Sequence, residues 1–253
     1  LYNSVMLRMN GTIAISNFIN DHIQKNYIFK KNSIQTIERG IDLNFFDPMS
    51  ISKNDINNAL KEYDLKKNSI KILLPARVTE WKGHLFLVDA ISQLLKKKEL
   101  NIEVLFFGTD ENKSLKEKIE KFIRVKNLQN IIKFYGPTNK MNLIYALSDI
   151  VISSSTDPEA FGRVSIEAQA MGKLIIASAH GGSQETIIEG KTGYLYSPKE
   201  PSELMKKISR VINQKKYCSN EMSASAIKHI KNNYGKDKMC KKTLEFYQEI
   251  ISQ

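Results

Sequence analysis

Short runs of apolar residues alternate with amphipathic segments through most of this chain. The apolar runs predict β-strands buried on both faces, and the segments between them carry apolar residues at helical spacing. The predicted strands occupy residues 12–16, 33–37, 72–74, 102–107, 131–135, 149–153, 174–177 and 193–196. The predicted helices occupy residues 17–27, 85–97, 113–125, 141–148, 164–171, 184–189, 201–213 and 238–251, and a polar connector with a modest helix spans 43–68. This alternation indicates an α/β fold in which helices cover both faces of a parallel sheet.

The loops that follow the strands are expected to meet at one edge of this sheet. Right-handed crossovers bring the carboxyl ends of parallel strands together, and open sheets of this kind bind ligands at that edge. The loops concerned are 75–83, 108–112, 136–140, 155–162 and 178–183. The sequence therefore predicts that the site is built from these loops.

The segment 157–167 joins a predicted strand to a predicted helix and carries two carboxylates, Glu159 in the loop and Glu167 in the second helical turn. Between them, the backbone amides of Phe161, Gly162 and Arg163 lie at the helix start. A helix N-terminus suits an anion because its first amides lack intrahelical partners and its dipole adds positive charge. The segment could therefore hold a phosphate between two acceptors for sugar hydroxyls. Two glutamates at this spacing also occur by chance on many helices.

Two cations stand in the first of these loops. Arg77 and Lys82 could flank a diphosphate, Arg as a planar fork and Lys as a point charge, and Gly83 permits close backbone approach. Two solvated surface charges would give the same pattern. Neither a Gly-x-Gly-x-x-Gly fingerprint nor a Walker A loop is found in the sequence.

The composition narrows the choice of partners. A hydrophobic content of 42% supports a full core, and no apolar run approaches the ~20 residues of a membrane span. The formal net charge of +11 has two interpretations. It could reflect solvated Lys-rich helix faces, or it could attract an anionic partner, either a substrate or the inner membrane. Nucleic acid is not expected, because the lysines are scattered without interleaved aromatics. Cys218 and Cys240 lack metal-ligand spacing and are expected to be free thiols of a reducing, cytoplasmic compartment.

Ordered motifs along nearly the whole chain resemble the retaining glycosyltransferases of the GT-B fold, specifically glycosyltransferase family 4. The chain departs from the usual pattern at Arg39, where the family usually has Asn, and at Arg163, where it usually has an apolar residue. The matching motifs are Ala14-Ile15-Ser16, Arg39-Gly40-Ile41-Asp42, Arg77 with Lys82-Gly83, Glu159-Ala160-Phe161-Gly162 with Glu167-Ala168, Gly181-Gly182-Ser183-Gln184-Glu185 and Thr192-Gly193-Tyr194-Leu195.

The resemblance implies two Rossmann-like domains that face each other across a cleft. Residues 1–48 would be the last elements of the N-terminal acceptor domain plus a linker, with the earlier strands of that domain missing from this sequence. Residues 49–235 would form the sugar-nucleotide-binding donor domain. Residues 236–253 would form a helix that packs back toward the N-terminal domain.

The resemblance also implies a role for each site residue. Arg77 and Lys82 would hold the diphosphate as the leaving group, Glu159 would bind hydroxyls of the transferred sugar, and Glu167 would bind the ribose hydroxyls. No metal ion and no cofactor are expected, because Arg, Lys and the helix-start amides take that part. The other donor-binding residues would be Gly108 for close approach, Tyr135, Gly136 and Pro137 beside the base, the amides of Phe161, Gly162 and Arg163 at the sugar and phosphate, and Val164 near the nucleoside.

The function implied is transfer of a sugar, with retention of configuration, from a nucleoside-diphosphate sugar to a glycan or lipid-linked acceptor. Bacterial envelope polysaccharide or lipopolysaccharide synthesis is the expected setting, in the cytoplasm or at the inner membrane face. Two alternatives stay open from the residues. One is a module that binds a sugar nucleotide without transferring it, and the other is a sugar-nucleotide epimerase of the same fold.

Overall fold

The structure, a computed structural model, describes residues 9–28 and 34–252. Its strands are β1 (Thr12–Ala14), β2 (Ile34–Thr36), β3 (Ile70–Pro75), β4 (Ile102–Phe107), β5 (Ile132–Tyr135), β6 (Ile150–Ser153), β7 (Leu174–Ser178) and β8 (Tyr194–Tyr196). Its helices are α1 (Asn17–Asn26), α2 (Lys53–Glu62), α3 (His84–Lys97), α4 (Lys113–Val125), α5 (Met141–Leu147), α6 (Arg163–Ala170), α7 (Ser183–Thr186), α8 (Pro201–Asn213), α9 (Asn220–Asn233) and α10 (Lys236–Ile251).

A six-stranded parallel sheet in the order β5-β4-β3-β6-β7-β8 forms the centre of the molecule. Residues alternate between its faces as strand geometry requires. Ile72 and Leu74 of β3 join one apolar cluster with α3, α4 and α8, whereas Leu73 joins a second cluster with α2, α5 and α6. The predicted α/β class, a Rossmann-like parallel sheet with helices on both faces, is confirmed.

A smaller parallel sheet, β1 with β2, stands apart from the central one, and α10 packs against this part of the chain. A Cβ atom on Gly11 would lie 2.1 Å from Cδ1 of Ile250. Lys242 Nζ lies 2.8 Å from a carboxylate oxygen of Glu38. These contacts join the C-terminal helix to Gly11, just before β1, and to Glu38, just after β2. The division at residues 48 and 235 stays a prediction.

The structure differs from the predicted elements mainly near the C-terminus. Helix α9 was not predicted, because its 14 residues bury only Met222, Ala226 and Ile230, too few apolar positions for a clear helical stripe. Helix α7 is a single turn, shorter than the predicted 184–189. Ser33 of the predicted strand 33–37, residues 1–8 of the predicted N-terminal domain and Gln253 lie outside the described residues.

Candidate functional site

The two central strands, β3 and β6, mark the point where the strand order reverses. From β3 the chain continues to β4 and β5 on one side, and from β6 it continues to β7 and β8 on the other. Beyond β3 and β6 the chain therefore turns to opposite sides of the sheet, and open parallel sheets bind ligands in a crevice at the carboxyl ends of such a strand pair.

A lysine and a glutamate meet across this crevice. Lys82, from the loop after β3, places Nζ 2.6 Å from Oε1 of Glu159, from the loop after β6. Their side chains are only 16% and 12% exposed. Ser155 donates a second hydrogen bond to the same oxygen at 2.5 Å, and Nζ of Lys82 lies 4.1 Å from the centroid of the Trp81 ring. The crevice thus holds a cation and a carboxylate in fixed positions.

The backbone around Gly83 explains where Lys82 lies. Gly83 has a φ of +71°, and a Cβ atom there would lie 1.9 Å from the carbonyl oxygen of Ser154. The Ser154 hydroxyl donates to the carbonyls of Lys82 and Gly83 at 3.0 and 3.1 Å. The amide of Thr156 donates to Trp81 O at 2.8 Å. Glycine is therefore required where the two loops touch.

The glycine pair after β7 supports the backbone at Glu159 in the same way. The amide of Gly182 donates to Glu159 O at 2.7 Å, and a Cβ on Gly181 would lie 2.3 Å from that oxygen. Phe161 is buried at 4% exposure and meets Tyr234 edge to face with ring centroids 5.9 Å apart. The carboxylate-bearing loop therefore rests on rigid backbone and on an aromatic anchor.

Helix α6 begins at this loop. Gly162 precedes it with a φ of +92°, and the helix starts four residues after Glu159, with first amides that lack intrahelical partners. Val164, in the first turn, is partly buried against the second apolar cluster.

Glu167, one turn further along α6, is engaged at both oxygens. Arg163 Nε donates to Oε1 at 2.7 Å, and the Tyr145 hydroxyl donates to Oε2 at 2.9 Å. Tyr145 is fully buried, and burial, with the charge of Glu167 second, raises its pKa well above 10.

Arg77 and Gly108 lie at the same edge of the sheet but do not join the Lys82–Glu159 pair. Arg77 is exposed and makes no side-chain hydrogen bond or ion pair within the described residues. Gly108 is close to backbone: a Cβ atom there would lie 2.2 Å from the carbonyl oxygen of Ala76. The close approach that Gly108 permits in this structure is between two loops of the protein.

The three residues predicted to lie beside the base occur at the end of the outer strand β5. Two strand spacings, roughly 10 Å, separate β5 from β3. Tyr135 stacks on Phe107 with centroids 4.7 Å apart and donates its hydroxyl to Tyr63 O at 2.9 Å, and burial raises its pKa to about 12. Gly136 and Pro137 are exposed. A cavity of about 840 Å³ runs along the outer side of β5 and shares Tyr135, so it does not coincide with the Lys82–Glu159 crevice.

Sequence reasoning missed the partners that orient these side chains. A serine run and a lone tyrosine in an amphipathic segment carry no distinctive spacing, so the sequence does not indicate the roles of Ser155 and Tyr145. His180, expected to be structural or at the surface, places Nε2 2.8 Å from Ser155 O, beside the crevice. Ser16 belongs to the motif Ala14-Ile15-Ser16, which gives no sign that its hydroxyl donates to Ala160 O at 2.5 Å.

His84, the first residue of α3, is buried beside the Lys82 loop. It is 2% exposed, its ring meets Phe106 edge to face, and neither ring nitrogen has a hydrogen-bond partner within the described residues. Burial first, and the charge of Lys82 second, lower its pKa to about 4.

Acidification is expected to destabilise the fold through His84. The unfolded state, with a His pKa of about 6.5, binds the proton first as the pH falls. The stabilisation from the neutral ring is therefore complete above pH 6.5 and lost as the pH falls through the folded pKa of about 4. The expected loss is about 3 kcal/mol. Urea unfolding at pH 7 and pH 4 should show this loss in the parent and a smaller one in His84→Phe. Equal losses in the two would contradict it, and exposed His22→Ala is the control.

Within the described residues, no group of three or more His, Cys, Asp or Glu could hold a metal ion. No described helix combines the length and apolarity that crossing a bilayer requires. Cys240 is exposed and free, and the side chain of Cys218 lies outside the described part of the chain.

A protein-family model described as "Glycosyl transferases group 1" matches residues 55–232, which is more than half of the 253-residue chain. The chain belongs to the glycosyl transferases group 1 family. The Lys82–Glu159 crevice and α6 fall inside the matched region, so the site belongs to the part of the chain that defines the family.

Individual relatives agree with this membership. A glycosyltransferase from Rickettsia africae is 35% identical with a TM-score of 0.89, covering 99% of this chain and 66% of that one. HepE from Anabaena, solved in complex with UDP and glucose, is 24% identical with a TM-score of 0.87, covering 96% of this chain and 64% of that one, and shows a shared fold. A lipopolysaccharide 1,2-N-acetylglucosaminetransferase of Salmonella typhimurium is 28% identical over 179 residues, 68% of this chain and 47% of that protein.

The match is partial in length. The chain spans between 47% and 64% of the curated glycosyltransferases and spore coat protein that it first matches. The fold of the described residues is that of GT-B glycosyltransferases.

Proposed function

We propose that the protein transfers a sugar from a nucleoside-diphosphate sugar to a hydroxyl of a glycan or lipid-linked acceptor. The observation that carries the proposal is the Lys82–Glu159 contact of 2.6 Å at the reversal point of the sheet, with Glu159 four residues before the start of α6. A cation for the departing diphosphate and an acceptor for sugar hydroxyls are thereby held at the position where the bond between sugar and phosphate would break.

Positive charge is the main catalytic contribution in this proposal. Negative charge builds on the diphosphate as it leaves, and Lys82, Arg77 and the first amides of α6 would stabilise it from fixed positions. Such preorganised groups do not have to reorient during the reaction. They supply the charge that a metal ion would otherwise bring, so the proposed reaction uses none.

Retention of configuration and membership of glycosyltransferase family 4 are the finer parts of the proposal. The acceptor hydroxyl would attack from the face that the diphosphate leaves. The motifs that start at Arg77 and Glu159 support this. Nuclear magnetic resonance of the product, formed by the complete protein, would show the anomeric configuration, and inversion would contradict this part.

The proposed setting is bacterial envelope polysaccharide or lipopolysaccharide synthesis in the cytoplasm. Similarity to the Salmonella typhimurium transferase supports it. Peripheral contact with the inner membrane is an extension that the net charge of +11 supports. Sedimentation with anionic vesicles measures that contact, and binding that is insensitive to salt would contradict its electrostatic basis.

A panel of nucleoside diphosphates and nucleotide sugars is expected to contain at least one that raises the melting temperature of this chain. A ligand at 100 times its dissociation constant stabilises by about 2.7 kcal/mol. For a domain of this size that is a shift of roughly 5–10 °C. If no nucleotide raises the melting temperature, the proposal is wrong.

Assays of donor consumption by the complete protein, with and without an acceptor, distinguish the competing functions. Consumption of the donor only with an acceptor supports transfer, binding without consumption indicates a binding module, and an isomerised sugar without acceptor indicates an epimerase.

A further inference from the structure

Glu167 accepts two side-chain hydrogen bonds, one from a buried residue and one from an exposed residue. Tyr145, on the neighbouring helix α5, is fully buried and donates to Oε2 at 2.9 Å. Arg163, one turn earlier on α6, donates to Oε1 at 2.7 Å, but its side chain is 67% exposed. One partner is therefore part of the core and the other stands in solvent.

Packing fixes the position of the Tyr145 hydroxyl. The ring meets Phe46 edge to face with centroids 5.9 Å apart. The carbonyl of Tyr145 accepts bonds from the amide and hydroxyl of Ser148 at 3.0 and 2.8 Å, which holds the end of α5. The raised pKa keeps the hydroxyl protonated, so it remains a donor at neutral pH.

A buried donor on one oxygen has a directional consequence. A carboxylate offers about four lone-pair sites. Tyr145 occupies one of them and thereby sets the plane of the Glu167 carboxylate. Without this bond the side chain, 12% exposed, could rotate about its terminal torsion. With it, the remaining lone pairs keep a constant direction.

The exposed arginine holds the other oxygen weakly. Ion pairs between residues four apart on a helix surface contribute little, because water screens them and the long side chains lose freedom. Arg163 can therefore leave Oε1 at small cost when another donor arrives.

We infer that Tyr145 is a positioning residue that aims Glu167 at the paired ribose hydroxyls of the nucleotide, and that Arg163 is a displaceable occupant of the same carboxylate. The inference rests on the proposed function, because it assumes a nucleoside diphosphate above α6. It adds two residues that determine how strictly the site requires a ribose.

The test compares ribose with deoxyribose in the parent chain and in Tyr145→Phe. The probes are the nucleoside diphosphate that gives the largest thermal shift and its 2′,3′-dideoxy counterpart, with affinities measured by calorimetry. The parent should prefer the ribose form by about tenfold or more. Tyr145→Phe should lose about tenfold in affinity for the ribose form and little for the dideoxy form, which abolishes the preference.

Tyr196→Phe is the matched control. Tyr196 is also buried, at 3% exposure, but its hydroxyl has no partner within the described residues, and it lies on β8 away from Glu167. This variant should keep both affinities. Loss of the ribose preference in it as well would reduce Tyr145 to an ordinary core residue and overturn the inference.

The other outcomes separate this inference from the proposed function. A ribose preference that survives in Tyr145→Phe overturns the inference and leaves the function standing. A parent that binds nucleotide but shows no preference does the same, because Glu167 would not contact the ribose. A parent that binds no nucleotide ends both. For Arg163→Ala we expect unchanged or severalfold tighter binding, and tenfold weaker binding would overturn the displaceable role.

Discussion

Replacing Lys82 by Ala is expected to lower the transfer rate of the complete protein roughly 100- to 1000-fold, or about 3–4 kcal/mol in activation free energy. The ammonium group is held 2.6 Å from Glu159 in a nearly buried crevice, so no neighbouring charge can simply take its place. Arg77 is exposed and makes no hydrogen bond or ion pair with either residue, so it should compensate only in part. Steady-state kinetics with saturating donor would measure the loss.

Lys126→Ala is the control for this prediction. Lys126 also pairs with a carboxylate, Asp89 at 2.9 Å, and lies 5.0 Å from the ring centroid of Phe122, but it stands at the end of α4, outside the crevice. This variant should keep a near-normal rate. The melting temperatures of both variants would show whether unfolding causes the loss of rate. A near-normal rate for Lys82→Ala in a folded protein would contradict the proposed catalytic role of Lys82 and the loop after β3.

Replacing Gly83 by Ala is expected to destabilise the fold by roughly 2–5 kcal/mol. The left-handed conformation, with a φ of +71°, costs a residue with a side chain about 1–2 kcal/mol. The added Cβ would lie 1.9 Å from Ser154 O, so the loops after β3 and β6 must separate, at an overpacking cost of roughly 1–3 kcal/mol. Urea unfolding would measure the sum. Nucleotide binding should weaken too, because Lys82 moves with the loop.

Gly190 provides a control matched in backbone conformation. Its φ is +75°, but nothing lies within 4 Å of a Cβ built there. Gly190→Ala should therefore cost only the conformational part, about 1–2 kcal/mol. If the two variants lose the same stability, the contact between the two loops is not what requires glycine at residue 83.

Secondary structure could be predicted wherever the local pattern of apolar and polar residues was clear. Strand β4 and helices α4 and α8 have the predicted bounds, because an unbroken apolar run marks a buried strand and a clear apolar stripe marks a packed helix. Helix α9 was missed for the opposite reason. Its polar sequence is held in place by contacts with α6, which are made only in the folded chain.

The sequence also predicted the order of the site loops, but it did not predict the contacts between them. The sequence placed Lys82 and Glu159 in two different loops at one predicted edge of the sheet. It could not show that they touch, because 77 residues separate them and the distance depends on the pairing of β3 with β6. Gly108 illustrates the same limit, since its close neighbour is Ala76 O of an adjacent loop.

The sequence by itself determined the parallel α/β architecture, the family motifs and the edge where the site lies. These follow from periodicity and from residue order, which are local properties of the chain. Only the tertiary structure decided which side chains orient the chemical groups: Ser155 on Glu159, Tyr145 on Glu167, and Ser154 beneath the Lys82 loop. Hydrogen bonds of this kind depend on distances of about 3 Å between separate elements, and those distances exist only after the sheet has assembled.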